Sequence, residues 1–155
     1  MKLSSAIDIK STPGEVFGWL EDPEKAMAWM TSVSGGEILH ETPDRVGTTF
    51  REVVEDESGF LEMRGEITGF EDGKMIAFHL ESRVNIVDVE YRVEKSMPRA
   101  RLEYHANVKW KFPVNIISIF MGKVMRQNIT AQLEDELSKL KELCETPGSG
   151  TGEQD

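Results

Sequence analysis

ARLEYHANVKWKFPVNIISIFMGKVMRQNITAQLEDELSKLKELCE, residues 100–145, changes its period in the middle. From Leu102 to Trp110 the apolar side chains fall on every second residue, as Leu102, Tyr104, Ala106, Val108 and Trp110, the pattern of a half-buried strand. After Pro113 they recur at threes and fours. Ile117, Phe120 or Met121, Val124, Asn128 or Ile129, Leu133, Leu137, Leu140 and Cys144 predict one amphipathic helix over about thirty residues. At ~1.5 Å per residue such a helix is ~45 Å long, enough to lie across a whole curved sheet. Glu134, Asp135, Glu136, Lys139, Lys141 and Glu142 fall on its outer face.

Working back from that strand, the same alternation runs through GEILHE, TTFREVVED, FLEMRGEITGFE, KMIAFHLES and VNIVDVEYRVE. The breaks between most of them, such as Thr42-Pro43-Asp44, Glu57-Ser58-Gly59, Asp72-Gly73 and Ser96-Met97-Pro98-Arg99, are good turn chemistry. Six consecutive strands on short connections imply an antiparallel meander, because parallel neighbours need long crossovers. Alternation means that one face is buried and the other wet. Leu61, Met63 and Ile67, then Ile76, Phe78 and Leu80, then Val87, Val89, Tyr91 and Val93 take the buried side.

The chain opens with one more alternating stretch, Leu3 to Ile9, a strand. Thr12-Pro13-Gly14-Glu15 follows as a helix start, with Thr12 as cap, Pro13 in the first turn and Glu15 placed to complete a capping box. Asp22-Pro23 repeats the signal and opens a second short helix through Met27 and Trp29. Residues 1–145 therefore read as one domain. Residues 146–155, TPGSGTGEQD, hold no apolar side chain and read as a disordered tail.

Composition narrows the partners. The 155 residues carry 18 Lys and Arg against 28 Asp and Glu, a net charge of −10. That balance argues against nucleic acid, which needs clustered positive charge, and disfavours adsorption to anionic membrane surfaces. No stretch reaches the ~20 apolar residues of a membrane helix, so stable membrane insertion is not expected. Cys144 is the single cysteine, which excludes an internal disulfide, and no apolar run suits a signal peptide. A cytoplasmic protein is the expectation.

Strand, two short helices, six antiparallel strands and one long helix is a specific order. It resembles the helix-grip fold of the START-like, or SRPBCC, superfamily. Ile9-Lys10-Ser11-Thr12-Pro13-Gly14-Glu15-Val16-Phe17 is similar to that family's opening phrase, and Leu20-Glu21-Asp22-Pro23 with Trp29 to its second helix. Val46-Gly47-Thr48, Gly65-Glu66-Ile67 and the Leu137–Glu145 helix are also similar. The resemblance runs from about Leu3 to Glu145 and is strongest to the polyketide cyclase/dehydrase and lipid-transport-like branch. It implies an α+β fold in which a seven-stranded curved antiparallel sheet wraps around the long C-terminal helix. It also implies a mostly apolar cavity between them that takes a small hydrophobic molecule. Fold alone does not settle function, since members bind lipids or polyketides, catalyse cyclisation or dehydration, or activate a chaperone ATPase.

Assigned to that cavity, the inward set is Trp29, Phe50, Glu52, Met63, Ile67, Phe78 and Val89. Tyr91, Tyr104 and Ala106 complete the sheet's share, and Phe120, Met121 and Val124 are the helix's share. Glu52 depends on register. A two-residue turn at Glu57-Ser58 pairs Glu52 with Met63 and turns its carboxyl inward; a turn one residue longer presents Arg51 and Val53 instead. A carboxyl in an apolar cavity is desolvated and titrates high, which suits proton donation. Tyr91 and Tyr104 are the other polar-tipped candidates for such a role. Metal and cofactor sites are not expected. His40, His79 and His105 lack ligand spacing; His79 and His105 alternate against inward residues and face solvent, while His40 is open to either side. Cys144 falls at helical spacing from Leu140, as an inert packing thiol. Three roles follow: a carrier of a hydrophobic ligand, a cyclase or dehydratase drawing on Glu52, Tyr91 or Tyr104, and a protein-interaction module.

Overall fold

A computed structural model of the chain describes residues 1–56, 59–96 and 99–146. Strand β1 (Lys2–Ile9) leads to helices α1 (Pro13–Glu21) and α2 (Pro23–Trp29). Strands β2 (Val33–His40), β3 (Thr49–Asp56), β4 (Gly59–Glu71), β5 (Met75–Glu81), β6 (Asn85–Ser96) and β7 (Arg99–Trp110) follow, then α3 (Val114–Glu145). The strands form one antiparallel sheet in the order β1-β7-β6-β5-β4-β3-β2. This is the helix-grip arrangement, α+β with a seven-stranded curved sheet and a long C-terminal helix.

The local signals act through identifiable bonds. Thr12 Oγ1 accepts from the Glu15 N–H at 3.2 Å, and Asp22 Oδ1 accepts from the Glu24 N–H at 3.0 Å. Each satisfies one of the donors that a helix start leaves open. Gly73 takes φ +74° in the β4–β5 turn, a region that costs glycine nothing, and the Lys74 N–H closes that turn onto the Glu71 carbonyl. Asp56 pairs with Gly59, Val54 with Leu61 and Glu52 with Met63. Glu52 is therefore inward. Arg51 points outward, to Glu37 at 3.4 Å and Glu62 at 3.1 Å.

The core fills one end of the concave face. Ile9, Val16, Phe17, Trp29, Ile76, Leu102 and Leu140 are its most buried side chains, drawn from β1, α1, α2, β5, β7 and the C-terminal half of α3. Each fully buried large apolar side chain stabilises the fold by about 1.5–3 kcal/mol. Two polar links pin that half of α3: the Lys10 N–H donates to Glu145 Oε2 at 2.7 Å, and Lys141 Nζ donates to the Asp8 carbonyl at 2.8 Å. Thr146 ends the helix, its hydroxyl donating to the Glu142 carbonyl at 2.6 Å. The remainder of the expected tail lies outside the described residues, as do the turn residues at 57–58 and 97–98.

The N-terminal half of α3 departs from the expected phase. Its half-buried stripe is Val114, Ser118, Gly122, Met125 and Ile129, which runs into buried Leu133, Leu137, Leu140 and Cys144. Phe120, Met121 and Val124 are exposed, so the assignment of these three to a cavity wall does not hold. The physical reason is that this half of the helix is apolar on almost every side, and periodicity then cannot single out one face. Met121 also leaves helical geometry, with φ −117° and ψ 15°, so the two halves do not share one continuous phase.

Candidate ligand site on the concave face

Beyond the core, the concave face is half-covered. Phe50, Glu52, Phe78, Leu80, Val87, Tyr104 and Trp110 all point inward by register yet keep partial exposure. Three of them, with Tyr91 and Trp29, make a run of edge-on aromatic contacts across five elements. Phe50 meets Phe78 at 5.7 Å between centroids, Phe78 meets Tyr91 at 6.4 Å, and Tyr91 meets Tyr104 at 5.1 Å. Trp29 reaches down from α2 to Tyr91 at 6.0 Å, held by its indole N–H donating to the Trp19 carbonyl at 3.0 Å. Such pairs contribute roughly 0.5–1.5 kcal/mol each beyond their burial and fix the ring planes. Gly65 makes the Phe50 position possible: a Cβ there would lie 2.3 Å from the Phe50 ring and 2.8 Å from Leu80.

Into this apolar surface the fold sets four acidic or phenolic groups. Glu52 on β3 has Gly36 and Met63 as its cross-strand neighbours, and burial pushes its carboxyl above the usual range, with the Glu136 charge adding to the effect. Burial pushes the Tyr91 phenol well up, helped by Tyr104, Glu136 and Glu52. Tyr104 is pushed up to about 12, again by burial first and Glu136 second. Among the described residues, no protein hydrogen bond reaches the Glu52 carboxyl or either phenol. At neutral pH the two phenols hold their protons and offer them to whatever lies on the face.

Glu136 was missed by the sequence reading, which put it on the outer face of the helix. It is half-buried and turns toward the β2 side, where its Oε2 accepts from the Ser32 N–H at 3.2 Å and the Ser32 hydroxyl at 3.1 Å. The signal was present: Glu136 stands three after Leu133 and four before Leu140, on the buried stripe. Trp110 is the second omission. Its indole N–H is buried without a partner among the described residues, an uncommon state for such a donor.

The remaining candidates separate cleanly. Trp29, Met63, Ile67, Val89, Tyr91 and Ala106 are buried on the concave side, where sequence reasoning put them. His40 is exposed, and His79 and His105 lie on the convex face, bonded to Asp88 at 2.6 Å and Ser4 at 3.1 Å. Cys144 is buried, and its thiol is pushed up to about 12 by that burial and by Glu15 and Glu145, which leaves it unreactive. No group of three or more His, Cys, Asp and Glu among the described residues is placed to hold a metal. A shallow hollow of about 390 Å³ is lined by the convex-face residues Thr68, Ala77, Asp88, Glu90, His105 and Asn107, together with parts of Phe78, Val89 and Ala106.

Comparison with known proteins agrees with this architecture. The family model described as "Polyketide cyclase / dehydrase and lipid transport" matches residues 1–145, and the chain belongs to that family. Its fold is similar to that of a START superfamily protein from Mycobacterium smegmatis, with a TM-score of 0.77, 16% identity, and 93% and 97% of the two chains covered. It is similar also to the Zhui aromatase/cyclase of a Streptomyces species, with a TM-score of 0.79, 11% identity, and 97% and 99% covered. A protein from Thermus thermophilus aligns with a TM-score of 0.76, 16% identity, and 92% and 95% covered. No curated protein matches the chain in sequence.

Proposed function

We propose that the chain binds a small hydrophobic molecule along the concave face, between the sheet and the N-terminal half of α3. One observation carries this reading: the half-covered aromatic run from Phe50 to Tyr104 ends in hydroxyl and carboxyl groups that have no hydrogen-bond partner among the described residues. Desolvated donors without partners are costly to maintain and gain most when a ligand supplies an acceptor. The aromatic rings would hold the apolar body, while Glu52, Tyr91 and Tyr104 meet its polar end. Family membership and the similarity to a START superfamily protein support the same reading.

The experiment is a titration of the folded protein with an environment-sensitive hydrophobic fluorophore, followed by displacement with fatty acids, sterols and aromatic polyketides. Saturable binding that Ala106→Trp abolishes without unfolding is the expected result, because an indole on the floor of the face fills space of ligand size, ~300–1,000 Å³ in typical sites. Absence of saturable binding to folded wild type would contradict the proposal.

A second reading is an enzyme of the cyclase or dehydratase type, favoured by the raised carboxyl of Glu52 beside two protonated phenols. In that role Glu52 gives its proton to a departing hydroxyl, which leaves as water. The resulting carboxylate takes the proton of the adjacent C–H, whose electron pair forms the new double bond. Glu52→Gln separates the two readings: an amide keeps a hydrogen-bond donor but has no transferable proton. Affinity retained with turnover lost marks an enzyme, whereas a carrier shows no turnover in either form.

A further inference from the structure

We propose that the N-terminal half of α3, with the strand end that feeds it, is a docking element for an anionic lipid surface. Phe112, Ile119 and Phe120 are exposed at 74%, 77% and 83%, and Ile116, Ile117 and Val124 lie beside them at 45–48%. At about 100° per residue these helical positions spread over roughly 160° of the circumference, opposite the half-buried stripe of Val114, Ser118 and Gly122. Contiguous exposed apolar surface of this kind marks an interaction site.

Charge chooses the partner. The stretch from Tyr104 to Leu133 holds Lys109, Lys111, Lys123 and Arg126 and none of the chain's 28 acidic residues. Lys109 and Lys123 are exposed and enter no ion pair among the described residues, while Lys111 pairs with Glu81 at 2.6 Å. Net charge alone misleads here, because along this stretch of chain the acid is placed elsewhere, and Glu81 answers only Lys111. Glu134, the next acidic residue along the helix, stands ~20 Å from Phe120, more than two screening lengths of ~8 Å at physiological ionic strength. Basic residues flanking exposed Phe and Ile are the chemistry of interfacial helices, which seat apolar side chains at the acyl boundary and cations among anionic headgroups.

A second copy of this chain fits less well. A two-fold interface covers one face of a helix. It would bring two copies of Lys123 and Arg126 to the same contact, with no acidic residue of this stretch to answer them. A bilayer interface surrounds the apolar side chains from many directions at once. No described helix is long and apolar enough to cross a membrane, so the contact is peripheral.

The test is co-sedimentation with vesicles of phosphatidylcholine, with and without 30 mol% phosphatidylglycerol (roughly the anionic content that gives a surface its negative potential). Wild type should partition to the anionic vesicles, and the double variant I119E/F120E should bind at least tenfold more weakly. Both residues are exposed, so thermal melts of variant and wild type should coincide and exclude unfolding. Lys123→Glu should cost about fivefold or more on anionic vesicles, in line with the contribution of one cation near such a surface. Wild type remaining in the supernatant at every composition would overturn the proposal, as would binding that I119E/F120E leaves unchanged. A dimer in sedimentation velocity that Phe120→Glu dissociates, without vesicle binding, would assign the surface to a second copy instead. None of these outcomes depends on whether the concave face binds a ligand.

Discussion

Glu52 shows how much a single residue's role depends on register. Its place on β3 follows from alternation, but its direction follows from the turn at 57–58, where one residue more would exchange Glu52 for Arg51. The observed pairing of Asp56 with Gly59 decides it. Burial and the Glu136 charge raise the carboxyl above its unfolded value, so between the two values the native state holds a proton that the unfolded chain has released. The sign follows: the group costs nothing below the unfolded value, and stability falls as pH climbs from there through the folded value. Glu52→Gln should therefore match wild type in the acid range and become the more stable of the two toward neutral pH. Parallel melting curves from pH 4 to pH 8 would show that the carboxyl reaches water freely. Glu136 teaches the complementary lesson. A charged residue on a buried stripe was read as outer face because charge was weighed above spacing, although Leu133 and Leu140 bracket it.

At the scale of elements, α3 divides at Met121. Its C-terminal half was legible because apolar residues there alternate with acids and lysines, and contrast of that kind reveals a face. The N-terminal half offers no contrast, so Ile117, Phe120, Met121 and Val124 were as plausible inward as Val114 and Ser118. Two substitutions check the division. Leu140→Ala, at a fully buried position, should cost about 2–5 kcal/mol in urea unfolding. Phe120→Ala should stay within about 0.5 kcal/mol of wild type, the range of exposed positions. A loss of several kcal/mol at Phe120 would mean that its side chain, and not the stripe of Val114 and Ser118, is turned inward in solution. The seven strands, by contrast, were legible throughout. Their turns carry strong residues such as Asp72-Gly73, and a meander leaves little choice of partner.

For the molecule as a whole, the order of elements identified the fold, while the face that matters is only partly written in the sequence. Phe50, Met63, Phe78, Tyr91 and Tyr104 come together because alternation assigns them one side of the sheet and the meander aligns them, and Trp29 meets them from α2. What alternation cannot give is how far the helix covers that side, since coverage depends on helical phase and on the break at Met121. The central claim is that the half-covered face holds a small hydrophobic molecule. Native mass spectrometry of freshly purified full-length protein tests it most directly. The account predicts a species heavier than the chain by the mass of one small molecule, lost on collisional activation and absent from Ala106→Trp. A single species at the mass of the bare chain, unchanged after incubation with fatty acids, sterols and aromatic polyketides, would contradict it.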